Sequence, residues 1–329
     1  RIAVPNREND LFALNYIFDV DLRSWPLVCP ALELADNAGT GKMDAAAVKK
    51  RLYALGSSIQ TSCSSNRITV TLTGIDRNLE TAKGLVQDLL QQPEFTDELV
   101  KKVVSNELSK RKDLLNNPRF LSTATSEFAA YGDNSRFLAA PSNKQLGKAT
   151  SVELKKALAR LAATQHRTVY FGPRSAEAAA KFVVLGTKHR PAPSVSPRQL
   201  HATKKPQVFM TSKKVAQSSI SLFFPGPKLA PEDDLWASLY SEYLSGGMGA
   251  LIFQEIREAR GLAYSAFGYY NVGRKKGDQP TGVGFLGTQA DKTIEALEKM
   301  LELMPVPPFE QKRFDLAKAS MLRRSRTQR

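Results

Sequence analysis

Three histidines, two cysteines and a handful of acidic residues on helical spacing are the side chains in this 329-residue sequence that could do chemistry. His166, His189 and His201 are scattered, and no two of them have the spacing that puts two imidazoles on one helix face. No order of serine, histidine and acid suggests a nucleophilic triad. His166 precedes a predicted strand, and the other two fall in or beside a proline-rich stretch. All three read as surface or locally hydrogen-bonded residues. Cys29 and Cys63 cannot build a disulfide scaffold or a four-thiolate zinc site. One bridge between them is an option, but two buried free thiols are the expectation, because cysteine is among the most often buried residues. Gly282-Val283-Gly284-Phe285-Leu286-Gly287 spells the dinucleotide-binding glycine pattern. Its glycines alternate with Val283 and Phe285 inside a predicted strand, whereas that chemistry needs a glycine turn between a strand and a helix. The glycines are better read as places where another backbone or helix approaches the strand.

The elements that must position any site follow from apolar periodicity. Residues 15–20 and 167–171 read as strands, and 57–73 as a hairpin turning near Asn66, with Ile68, Val70 and Leu72 on one face. Asp44 is expected to cap a helix that Gly56 stops, and Asp76 to cap the helix carrying Leu79, Ala82, Val86 and Leu89. Further helices are predicted from Thr96, after Pro118 and from Ser151. The stretch 189–206 holds Pro191, Pro193, Pro197 and Pro206 with little apolar periodicity, and reads as a linker. Strand, helix, paired strands and helix then recur over 219–304. The glycines Gly74 and Gly287, each just before an amphipathic helix, suggest an internal duplication. The domains expected are 1–188, the linker 189–206, and 207–329, with the second copy lacking the last helices and strand of the first. The chain opens on Arg1 without a signal-peptide pattern, so it is expected to be a processed or excised piece.

Composition narrows the function classes. With 42% apolar and 24% charged residues the chain is an ordinary globular mixture rather than a disordered tail, and no apolar run is long enough to cross a bilayer. The net charge of +15 invites a nucleic-acid partner. Its basic residues, however, come in short dispersed clusters such as Lys49-Lys50-Arg51, Arg274-Lys275-Lys276 and Arg323-Arg324, without interleaved aromatics to stack bases. They read as solvated surface, and nucleic-acid binding is kept only as an alternative.

One segment is more specific than any of these. Residues 244–265, with Gly246-Gly247-Met248-Gly249, Arg257, Arg260-Gly261-Leu262 and Tyr264, closely resemble the C-terminal half of the pitrilysin/insulinase family of zinc metallopeptidases, the inverzincins. In the first half, Asn37-Ala38-Gly39-Thr40, Leu52 to Gly56, Leu72-Thr73-Gly74-Ile75-Asp76 and His166 to Pro173 resemble the same family, so that nearly the whole chain is covered. The resemblance implies two related α+β domains, each a mixed sheet with helices on one face. It also implies the second half of a long two-half bacterial peptidase.

Active members carry H-x-x-E-H on a helix, two histidines and a distant glutamate binding zinc. Anchored on Gly39-Thr40, that motif falls on Pro30-Ala31-Leu32-Glu33-Leu34. Pro30 and Leu34 replace both histidines, Glu33 keeps the base position, and Glu107 lies near the distant ligand. The resemblance therefore implies a chain that binds no metal and is inactive alone, with zinc held by a partner half in the same polypeptide or a separate subunit. It further implies that Arg257 and Tyr264, seven residues apart, reach an unfolded peptide bound in the closed chamber. The residues by themselves favour a blander arrangement, with Arg257 paired to Glu255 or Glu258 and Tyr264 merely packed. A structural subunit of the same fold without a protease role is the other alternative.

Overall fold

The structure, a computed structural model, describes residues 2–327 except 65, 182–184, 186–189, 192–194, 196, 198, 202 and 274–276. His189, Pro193 and the cluster 274–276 thus lie outside the described residues. The chain begins with β1 (Ile2–Pro5), β2 (Leu11–Phe18), α1 (Val28–Ala35), β3 (Gly39–Thr40), α2 (Ala45–Ala54), β4 (Ser58–Ser64), β5 (Arg67–Ile75), α3 (Leu79–Gln91), β6 (Pro93–Glu94) and α4 (Asp97–Leu114). It continues through α5 (Pro118–Tyr131), α6 (Asn143–Gly147), α7 (Ser151–Ala162), β7 (Arg167–Gly172) and α8 (Ala176–Ala180). It then forms β8 (Gln217–Pro225), α9 (Asp234–Ser245), β9 (Ser265–Asn271), β10 (Thr281–Gln289), α10 (Thr293–Leu303) and α11 (Gln311–Thr327).

Two compact units result, 1–113 with 136–196 and 114–135 with 197–329. The division is not contiguous in sequence. α5 belongs to the second unit, where Ser126 Oγ donates to Ser221 Oγ on β8 at 2.8 Å and Thr125 bonds Thr211. Nothing in the periodicity of α5 announces this, because an amphipathic face does not name what it packs on. The later crossing from one unit to the other, at Ser196 and Pro197, falls inside the proline-rich stretch.

The first unit is built on a mixed sheet ordered β1-β7-β2-β5-β4, in which only β1 and β7 run parallel. Alternation sends Leu14, Tyr16 and Phe18 of β2 and Ile68, Val70 and Leu72 of β5 into the core, each no more than 1% exposed. α1, α3 and α7 close over that face with Leu32, Leu34, Leu79, Val86, Leu154 and Leu158. Asp44 caps α2 as expected, accepting from Ala47 N at 2.7 Å, and Gly56 ends it at a φ of 57°.

Other expectations need correction. Asp76 does not cap α3: its carboxylate accepts from the Tyr170 hydroxyl at 2.8 Å and from Arg174 Nε at 2.7 Å. It thereby ties the end of β7 to the start of the helix layer. Burial first, and the neighbouring Asp76 with it, push the Tyr170 phenol up to about 12. Thr150, not Ser151, caps α7, in a reciprocal box with Glu153. Cys29 and Cys63 are not free thiols. They form a disulfide between α1 and the exposed end of β4, their Cα atoms 5.9 Å apart across a separation of 34 residues. The expectation failed because burial statistics weigh each cysteine alone, while α1 packs at β4 and brings the pair together.

The second unit is a three-stranded antiparallel sheet ordered β8-β10-β9. It matches β2-β5-β4 of the first, and among the described residues no strand pairs the outer edge of β8 as β7 pairs β2. The repeat is structural: β10, the 3₁₀ turn after it and α10 each start 214 residues after β5, its 3₁₀ turn and α3 (281 against 67, 290 against 76, 293 against 79). Gly287 therefore answers Thr73, and the glycine-to-glycine match in the sequence is one residue out of register. One face of this sheet is buried by Leu251, Ile252, Ile256, Met300 and Met304. Gly268 and Gly284 give Met304 room there, since a Cβ on Gly284 would sit 2.5 Å from its sulfur. α11 is anchored to α9 by Glu242, which is 8% exposed and accepts two bonds from Arg324 Nη2 (2.9 and 2.8 Å) and one from Ser320 (2.6 Å).

Candidate functional site

Arg257 sits on a π-helical turn, Phe253–Glu258, that follows the Gly246-Gly247 break after α9. Such single wide turns recur at functional sites, because they rotate one side chain out of the regular helical path. Leu251, Ile252 and Ile256 anchor the turn, each fully buried, while the Arg257 side chain is 51% exposed. Its Nε lies 3.7 Å from Glu258 Oε1, beyond hydrogen-bond length, and the glutamate is as exposed as the arginine. Glu258 is thus the neighbour expected from the residues alone, but the pairing is loose. Its guanidinium carbon stands 4.9 Å from the centre of the Phe253 ring, a contact that steadies the arginine without using its donors.

Gly261 then ends the turn at a φ of 58°, accessible to glycine without strain. Leu262 N donates back to Ile256 O at 2.9 Å, and the Thr288 hydroxyl donates to Leu262 O. Tyr264 N donates to Gly287 O at 2.9 Å, so Tyr264 leads straight into β9 alongside β10. Its phenol is not packed away: Tyr264 is 56% exposed, and its oxygen accepts from Gln289 Nε2 at 2.7 Å. The phenol hydrogen stays available to donate. The short stretch 257–264 thus presents a guanidinium and an oriented phenol to solvent, the donor types that recognise a peptide carbonyl or an oxyanion. Gln289 and Phe253 were missed in the sequence. Gln289 was findable, since it lies on the same period-2 face of β10 as Phe285.

The segment expected to carry the degenerate motif, Pro30 to Leu34, lies on α1. Leu34 is 0% exposed in the core, Pro30 occupies the first turn where its missing N–H costs nothing, and Glu33 faces solvent. Glu107 is held on its own helix by Arg111 Nε at 2.9 Å, with Lys110 at 3.9 Å. Neither Pro30 nor Leu34 carries a ligand atom, and among the described residues no three His, Cys, Asp or Glu side chains converge to hold a metal. His166 is enclosed locally, its Nδ1 2.9 Å from Thr164 O and its ring against Tyr16 and Phe18. His201 lies beside α5, its N–H donating to Ala130 O at 2.7 Å.

Comparisons with known proteins bear on the fold and the family. A crystal structure from Pseudomonas fluorescens described as a peptidase M16 inactive domain superposes over 98% of this chain and 81% of its own, with a TM-score of 0.76 at 22% identity. The periplasmic protease PqqL from Escherichia coli superposes over 97% of this chain and 36% of its own, with a TM-score of 0.78 at 14% identity. The ferredoxin protease FusC, solved as a point mutant in complex with Arabidopsis ferredoxin, does so over 97% and 36%, with a TM-score of 0.71 at 13% identity. At such identities these likenesses show the fold. In sequence, 80 residues are 39% identical to an uncharacterized zinc protease, SCO5738, of Streptomyces coelicolor, a match covering 24% of this chain and 17% of that protein. The model of the peptidase M16 inactive domain matches residues 154–321, just over half of the chain, and includes the whole stretch from Arg257 to Tyr264. With that match over more than half of its length and the shared fold, the chain belongs to the peptidase M16 family, through its inactive domain.

Proposed function

We propose that this chain is the non-catalytic half of a zinc-dependent peptidase, closing a chamber with a zinc-bearing half and holding an unfolded peptide through Arg257 and Tyr264. The observation that carries this is the state of those two side chains. Both are exposed and donor-competent, and Tyr264 is oriented by Gln289 although neither group is needed for the core. The protease relatives, and the ferredoxin bound in the FusC structure, support a protein-derived substrate. Catalysis would come from the partner, in the same polypeptide or a separate subunit.

The test is hydrolysis of a quenched fluorescent peptide with added zinc, by this chain alone and mixed with its cognate zinc-bearing half. The expected result is no cleavage by the chain alone and cleavage by the mixture. Arg257→Ala should then lower kcat/KM of the mixture by about 10²-fold, the usual effect of removing one oxyanion donor. Zinc-dependent cleavage by the chain alone would overturn the proposal. Full activity of the Arg257→Ala and Tyr264→Phe mixtures would favour a purely structural subunit.

A further inference from the structure

The sheet β8-β10-β9 has two faces, and only one is used by the core. On the other, cross-strand register aligns Ser221, Phe285 and Phe267 in one row and Phe223, Val283 and Tyr269 in the next. The Phe267 and Phe285 rings stack with centroids 5.0 Å apart and planes 20° from parallel, and Tyr269 stacks on Phe267 at 6.3 Å and 23°. α5 stands over the β8 end of the first row, where Ser126 meets Ser221. The β9 end is open, with Phe267 38% and Tyr269 40% exposed. Tyr270, next to Tyr269 in sequence, points the other way, its N–H accepted by Ser241 Oγ of α9 and its hydroxyl bonded to Pro227 O. The aromatic shelf is therefore not a spillover of the core.

The same face of β10 runs from Phe285 through Gly287 to Gln289, the residue that orients the Tyr264 hydroxyl. Gly287 raises no side chain between the phenol and the rings. Four residues along a strand span about 14 Å, the span of four residues of an extended peptide. We infer that the shelf formed by Phe267, Phe285 and Tyr269 is a specificity subsite, taking an aromatic or long aliphatic side chain of the peptide about four residues from the carbonyl that Tyr264 engages. The occupant is a peptide because the adjoining groups recognise backbone carbonyls while the shelf recognises an apolar side chain. Stacked rings with free faces favour flat or bulky apolar groups over polar ones. This rests on the peptide-holding role of Arg257 and Tyr264.

The experiment is fluorescence anisotropy of the chain with fluorescein-labelled, uncharged, unstructured 12-residue peptides. One contains only small polar residues, and the others carry a single phenylalanine moved along the chain. The wild type should bind the best-placed phenylalanine peptide about tenfold tighter than the all-polar peptide. Phe267→Thr should remove that preference, bringing the affinity for the phenylalanine peptide down to about that for the all-polar peptide. Phe267→Leu, which keeps an apolar group in the same strand, should retain part of the preference and serves if the threonine variant does not fold. Arg257→Ala should weaken all the peptides alike. Equal binding of every peptide by the wild type, or an undiminished preference in either Phe267 variant, overturns the subsite while leaving the Arg257 and Tyr264 reading intact. Binding of no peptide by the wild type overturns both.

Discussion

Replacing Cys63 by serine breaks the bridge to Cys29 at its exposed end on β4, without opening the core into which α1 packs. The bridge closes a loop of 34 residues, and the chain-entropy relation gives about 3.8 kcal/mol at 25 °C for such a loop. For a unit of this size each kcal/mol moves the melting point by about 2–4 °C, so the first unit should melt about 8–15 °C lower. The second unit holds no cysteine, and its unfolding serves as an internal reference. The assay is thermal unfolding of wild type and Cys63→Ser, with and without a phosphine reductant, with hydrogen exchange reporting on the amides of α1 and β4. Reductant should bring the wild type to the variant's melting point and leave the variant unmoved. Two reactive thiols in wild type denatured without reductant, or a melting point indifferent to reductant, would refute the reasoning. The juxtaposition of α1 and β4 would then lack its covalent tie.

Writing two histidines into the expected motif positions, Pro30→His with Leu34→His, should not create a zinc site. Leu34 is fully buried, so the second change places an imidazole in the core at a cost of about 3 kcal/mol or more; a lower melting point and no zinc retained after dialysis are expected, and stoichiometric zinc would contradict the placement of Leu34. A pH effect is expected at Tyr170, whose folded-state phenol stands at about 12 against 10 in the unfolded chain. Raising the folded pKa means its contribution is fully present below pH 10 and is lost as pH rises toward 12. The urea midpoint should fall across that window less steeply in Tyr170→Phe than in wild type, and equal slopes would contradict the assigned burial.

Much of the fold was legible because local rules set it. Alternation marked β5 and β10, and Asp44 and Gly56 bounded α2. The cap expected of Asp76 was wrong for a non-local reason: Tyr170 and Arg174, nearly a hundred residues away in sequence, compete for the same carboxylate and win. The alignment of Gly74 with Gly287 slipped by one because glycine records local space, whereas register records which residues face the core.

By itself, the sequence determined that no zinc ligand stands at Pro30 or Leu34, that the chain repeats one strand–helix plan, and that an arginine and a tyrosine lie seven residues apart. Those are matters of side-chain identity and spacing, which survive without coordinates. The tertiary structure decided that Cys29 meets Cys63, that α5 packs with the second unit, and that Gln289 turns the Tyr264 hydroxyl. It also decided that Phe267 and Tyr269 look away from the core while Tyr270 looks toward α9. Each of these depends on which surfaces meet across long stretches of chain, and periodicity shows that a face is apolar without showing what will cover it.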